Sequence, residues 1–210
     1  MMAAETRQIE RRRAAMHVQD LFEESGEEVG LAELAASGRV SRRKLQELFE
    51  DDDDLFEAMA ELWFEPHVAI MEEVVAIDLP PNRKMYEFFV RRFRVNRERF
   101  RADPKAFALI CEAGAARFER VRGFVDLADH YLSELIAQAQ AEGYFPGFEI
   151  DQALSLINQM VNNYTFPDVL IHIDEKLSEE KLAHIIDAMF AGLSAENGGA
   201  SGVNTIRIAT

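Results

Sequence analysis

Six prolines and eleven glycines in 210 residues, four of the glycines in or near the segment ENGGASG, leave this chain with long stretches free of helix breakers and rich in Ala, Leu, Glu and Arg. Apolar residues recur in these stretches at helical spacing, the pattern of a helix with one buried face. The expected fold is therefore all-α. With 48% hydrophobic residues the chain can bury the core of one or two domains.

About nine helices follow from the punctuation. The first spans about 8–24, where Ala14, Ala15, Val18, Leu21 and Phe22 form one stripe and Gly26 closes it. Short helices are expected at 31–37 and 41–48. A fourth begins in the Asp51–Asp54 run, kinks at Pro66 and stops before the Pro-Pro of DLPPN. Five more are expected at 83–102, 104–115, 117–142, 149–173 with Pro167 inside, and 178–193. Four successive aspartates suit the positive end of a helix dipole; an EF-hand loop would need spaced acids and a glycine, both absent from this run.

Residues 31–49 read as a helix-turn-helix. Leu31 and Leu34 precede a turn at Gly38 and Arg39, and Ser41 is a good N-cap for the second short helix. Its first turn carries Arg42, Arg43 and Lys44, at the end that usually meets base edges and phosphates. The overall charge opposes this local signal. The chain carries −15, and residues 1–65 hold eight Lys or Arg against seventeen Asp or Glu, which excludes a generic nucleic-acid binder.

At these residues the sequence resembles the TetR family of bacterial transcriptional regulators. Arg11, Phe22 with Gly26, Leu31 with Leu34-Ala35, Val40-Ser41, Leu45-Gln46 with Phe49, and Asp52-Asp53-Asp54-Leu55 fill the slots of the family's head. The resemblance implies a three-helix helix-turn-helix domain over 1–54, a helical ligand-binding and dimerisation domain over 55–194, and a flexible tail over 195–210. The departures fall on the DNA-facing surface: Gln46 stands for a tyrosine, Leu48 for a His or Tyr, and Asp52 for a phosphate-contacting lysine. The expected base-facing residues are Arg42, Arg43 and Gln46. Ser41, Lys44, Arg39 and Arg11 are expected toward phosphates.

The resemblance further implies a homodimer on double-stranded operator DNA, a repressor-type regulator modulated by a small apolar or amphipathic effector. Met85, Phe89, Phe93, Phe107, Cys111, Phe118, Tyr131, Met160 and Tyr164 are the expected effector-lining residues, since Met and aromatic side chains suit adaptable apolar recognition. The arginine-rich 83–102 helix is read as a solvated or ion-paired face. Apolar stripes through Leu156 and Met160, and through Ile185 and Met189, are expected to build a four-helix twofold interface.

No enzyme, cofactor or metal is expected. The five histidines lack metal-ligand spacing, no Gly-rich phosphate loop is present, and Cys111 stands alone. With one cysteine, no 18-residue apolar run and no signal peptide, the expected location is the cytoplasm and no membrane partner is expected. The competing function is a ligand- or protein-binding dimer of the same fold that has lost sequence-specific DNA binding.

Overall fold

A computed structural model describes residues 2–195, which form ten α-helices and one short 3-10 turn. In chain order these are α1 (Met2–Ser25), α2 (Leu31–Ala36), α3 (Arg42–Leu48), α4 (Asp52–Ala76), α5 (Pro81–Ala102), α6 (Pro104–Ala116), α7 (Phe118–Ala141), α8 (Ile150–Thr165), α9 (Pro167–Ile173) and α10 (Glu179–Leu193). The 3-10 turn lies at Asp174–Lys176. Except for Ala195, the expected tail lies outside the described residues. None of the described helices is long and apolar enough to cross a membrane.

The tenth helix arises at Pro167. The expected continuous helix over 149–173 divides there, because a residue preceding proline is pushed out of the α region. Phe166 accordingly takes an extended conformation (φ −85°, ψ 115°), and Pro167 opens α9 in the first-turn position where its missing N–H costs nothing. Pro66, by contrast, stays inside α4. Arg99 from α5 donates to the Trp63 carbonyl at 2.9 Å, with its guanidinium 4.0 Å from the indole centroid, and so supports the helix beside the proline.

The chain divides into two compact units, the first comprising residues up to Val68 with Glu98–Val125, the second Ala69–Arg97 with the chain from Asp126 on. In the first, α1, α2 and α3 pack pairwise over Ala14, Ala15, Val18, Leu34, Leu45 and Phe49, all nearly inaccessible. In the second, α8 packs on α10, burying Ala153, Ile157 and Val161 on one and Leu182, Ile186 and Met189 on the other. Met85, Phe88, Phe89 and Phe93 of α5 and Leu132 and Ile136 of α7 complete that core.

Two turns of the head require glycine. Gly26 (φ +63°) ends α1 and Gly38 (φ +73°) forms the corner between α2 and α3, both in the left-handed region. Ser41 then caps α3 by accepting from the Lys44 N–H at 3.3 Å.

Each aspartate of the Asp51–Asp54 run has a different task. Asp51 accepts the Asp54 N–H at 2.8 Å and caps α4. Asp52 accepts the Leu31 N–H at 2.7 Å, closing the open start of α2 beside Glu33, which accepts from Gly30 at 3.0 Å. Asp53 receives Arg117 at 3.1 Å and Arg120 at 3.6 Å, both from the segment where α6 gives way to α7. Asp54 takes a two-pronged bond from Arg11 of α1, at 2.5 and 2.9 Å, and also accepts the Glu50 N–H at 3.0 Å. Four neighbouring carboxylates thereby fix α1, α2, α4 and the α6–α7 junction.

Truncating Leu34→Ala at the centre of the head should cost about 2–5 kcal/mol in chemical denaturation, whereas Met16→Ala, at a residue 52% exposed, should cost little. The Arg11–Asp54 bond also sets a pH dependence, because Arg11's hydrogen bond holds the Asp54 carboxyl below the usual carboxylate range. A depressed folded-state pKa contributes stability that is present above the unfolded value, about 3.9, and lost as pH falls through the folded value. Asp54→Asn should therefore be less stable than the parent by about 1–3 kcal/mol near neutrality. That gap should close below about pH 4 in urea titrations run across pH.

Candidate functional site

Helix α3 is presented by the packing just described: Leu45 and Leu48 point inward, 2% exposed each, which leaves Arg42, Arg43, Gln46 and Glu47 on the outer side. Arg42 and Gln46 are exposed, sit one turn apart, and make no hydrogen bond or ion pair within the described residues. Arg43, its side chain 91% exposed, reaches along its own helix to Glu47 at 3.0 Å. This face offers one guanidinium and one amide free to make bidentate contacts with a base edge.

The remaining cations around α3 are held by carboxylates of the same unit. Arg39, in the turn, bonds Glu24 at 2.6 Å and Asp20 at 3.3 Å, two acids one turn apart on α1. Lys44 meets Glu10 at 2.5 Å. Arg11 is the most committed: besides Asp54 it donates to the Leu48 carbonyl at 2.8 Å, and its guanidinium lies 4.7 Å from the Phe49 ring centroid. Those contacts anchor the C-terminal end of α3. Arg7 adds a second bond to the Leu48 carbonyl at 3.1 Å.

Local spacing could have flagged some of these partners, since Asp20 and Glu24 share one face of α1. Other partners lie too far along the chain for spacing to reveal. Asp52, expected where a phosphate-contacting lysine would stand, serves the α2 backbone. Arg117 and Arg120 carry no motif, yet they bind the same aspartate run; Arg117 also pairs with Glu28 at 2.5 Å and covers the Phe56 ring at 5.0 Å.

The nine expected effector-lining residues have different surroundings. Met85, Phe89, Phe93 and Tyr164 are buried in the second unit, with Phe93 and Tyr164 edge to face at 5.1 Å. The Tyr164 hydroxyl donates to the Ser178 carbonyl at 3.1 Å, and burial pushes its pKa up. Tyr131 is half-buried and donates to Glu72 at 3.2 Å, while Met160 is 50% exposed. Phe107, Cys111 and Phe118 belong to the first unit. There Phe107 packs against Trp63 and Phe100, Cys111 is half-buried, and Phe118 is exposed.

A cavity of about 230 Å³ lies in the first unit between Val18, Phe22, Leu55, Phe56, Met59 and Ala113, and none of the nine borders it. Among the described residues, no three His, Cys, Asp or Glu are arranged to hold a metal ion.

Several solved regulators share the fold of this chain. PfmR, a TetR family transcriptional regulator from Thermus thermophilus, superposes with a TM-score of 0.52 at 18% identity over 86% of this chain and 98% of its own. FadR, a fatty acid degradation regulator from Bacillus halodurans, gives 0.57 at 15% identity, covering 88% and 94%. A TetR-family regulator from Syntrophomonas wolfei gives 0.56 at 16%, covering 94% and 98%. At such identities these likenesses show the fold. No curated protein matches the chain significantly. The model of the tetracyclin repressor-like C-terminal domain, however, matches residues 81–186, just over half the sequence and independent of the helix-turn-helix. Since the C-terminal helices match the family's own model and most of the chain follows its fold, the protein belongs to the TetR family of transcriptional regulators.

Proposed function

We propose that this protein is a homodimeric transcriptional regulator that reads operator DNA through the outer face of α3 and is modulated by a small amphipathic molecule held by the helices of its second unit. The observation that carries the reading is the pair Arg42 and Gln46, exposed and unengaged on a short helix that Ser41 caps and Leu45 and Leu48 anchor. Arg42 suits a guanine edge and Gln46 an adenine edge. Arg43 can join them by leaving Glu47, a surface pair worth a fraction of a kcal/mol, roughly 0.3–0.5.

Phosphate contacts fall to Ser41, Lys44 and Arg39. Lys44 and Arg39 must exchange a carboxylate for a phosphate, so each contributes less net affinity than a free cation does. Arg11 acts by holding the end of α3 in place. The salt dependence of binding should accordingly be shallow for a helix-turn-helix protein.

For the dimer, Leu156, Met160 and Phe166 support a face on α8 and its C-terminal end: they remain 37%, 50% and 55% exposed while the rest of the stripe is consumed within the unit. A large apolar residue left open on a helix that otherwise buries its apolar side is what a twofold contact uses.

A second reading keeps the fold and the dimer without operator binding. It is favoured by the same intramolecular pairs, because carboxylates occupy Arg11, Arg39 and Lys44. Fragments of the source genome, incubated with the full chain at low salt and recovered across rising salt, decide between the two. Enrichment of a palindromic site that Arg42→Ala weakens by about 1–3 kcal/mol supports the regulator; a folded dimer that enriches nothing leaves the second reading. Separately, Met160→Glu should convert the dimer to monomer in sedimentation while leaving helicity unchanged.

A further inference from the structure

Helix α5 is strongly basic, and within the second unit its charges are answered almost one by one. Arg83 pairs with Glu87 at 2.7 Å, Arg91 with Glu73 at 2.7 Å, Arg94 with Glu179 at 2.5 Å and Arg97 with Asp174 at 2.6 Å. Lys84 donates to the Val75 carbonyl and to Gln138. These pairs account for the solvated and ion-paired face expected of this helix.

Arg92 is the exception. It makes no hydrogen bond or ion pair among the described residues. Its guanidinium lies 5.0 Å from the Phe88 ring centroid, and its Nε is sealed from solvent without an acceptor. Burial pushes its pKa down to about 10, and the negative charge of Asp129 opposes that shift only in part. Asp129 itself is engaged, accepting from Asn158 at 2.9 Å. Arg92 as a whole is only half-buried, so the residue is not cut off from solvent.

One turn further on, Asn96 is 6% exposed, and its Oδ1 is likewise sealed and without a donor. A buried donor and a buried acceptor thus stand side by side on the i, i+4 face, both unsatisfied, on a helix whose inner side is otherwise Met85, Phe89 and Phe93. Sealed polar atoms without partners are costly unless something else completes them. The missing group must carry negative charge for Arg92, an O–H or N–H for Asn96, and an apolar body for the surroundings.

We propose that Arg92 and Asn96 form the polar anchor of the effector site, and that the effector is a small amphipathic carboxylate with a hydroxyl or N–H next to the carboxyl group. The inference rests on the reading of the second unit as the effector-binding part. Arg92 donates to the carboxylate and Asn96 accepts from the neighbouring donor. No bond is made or broken; the complex is held by a charge-assisted hydrogen bond in a low-dielectric setting.

Calorimetric titration of the full chain with α-hydroxyoctanoate, octanoate and methyl octanoate tests this. The hydroxy acid should bind tightest, the plain acid less well and the neutral ester not measurably. Arg92→Met should weaken the hydroxy acid on the order of ten- to a hundredfold, and Asn96→Leu should abolish the preference for hydroxy acid over plain acid. The unliganded Arg92→Met protein should melt no lower than the parent, because a sealed Nε that meets no acceptor has been removed; a purely structural arginine would lower the melting temperature. Arg92→Lys, which keeps the charge but lacks Nε, serves if the methionine variant does not fold, and should weaken binding as well.

Equal binding of the ester, unchanged binding in the Arg92 variants, or no binding of either acid overturns the proposal. Retention of genomic DNA is scored on the same preparations. A failure of the carboxylate alone is thereby distinguished from a failure of the regulator reading.

Discussion

A helix that begins with three acidic residues is stabilised at its own N-terminus, and for an isolated helix the account would end there. In this protein the same carboxylates are the hub of the first unit. Asp52 closes α2, Asp53 gathers Arg117 and Arg120, and Asp54 holds Arg11 in a two-pronged bond that also places the end of α3. The geometry depends on adjacency. Consecutive residues on the first turn of a helix point in different directions, so a run of like charges, unfavourable as a cluster, becomes tolerable when each member meets a different partner. The cost of crowding four aspartates is offset by cations from two other segments and by backbone N–H groups that would otherwise be orphaned.

The same economy explains how a chain of net charge −15 can carry a helix-turn-helix. Charge at a contact surface is decided by what lies within a Debye length, about 8–10 Å in ordinary salt. Around α3, the acids of α1 have drawn Arg39 and Lys44 inward, while Arg42 and Gln46 are left outward. The head is therefore acidic in bulk and selective in what it presents. Its affinity for DNA would come from few contacts, and discrimination would weigh more heavily against non-specific attraction than in a strongly basic head.

Much of this fold was legible because helix periodicity and capping are local. The stripe Ala14, Ala15, Val18 and Phe22 and the cap Ser41 are all where spacing places them. The break at Pro167 was readable in principle from the restriction on Phe166, but an apolar period running through a proline is ambiguous, and Pro66 shows the opposite outcome. Beside Pro66 the Trp63 carbonyl takes a tertiary bond from Arg99, which no window of sequence contains. Ion-pair partners were the least legible. Arg11 with Asp54 and Arg117 with Asp53 join positions 43 and 64 residues apart, and their pairing follows from helix packing.

Charge satisfaction is thorough enough that departures from it carry information. Exposed Arg42 has no partner among the described residues because solvent serves it, at little cost, until a ligand of opposite charge arrives. Among the described residues the Nε of Arg92 and the Oδ1 of Asn96 lack partners, and solvent serves these sealed atoms poorly. A fold that answers Arg83, Arg91, Arg94 and Arg97 with carboxylates of suitable reach could have answered Arg92 in the same way, and Asp129 is near enough to be felt. Instead Asp129 is tied to Asn158. Local inconsistency in an otherwise consistent structure is what a site kept open for something else looks like, and it occurs in the part of the chain that the C-terminal family model covers.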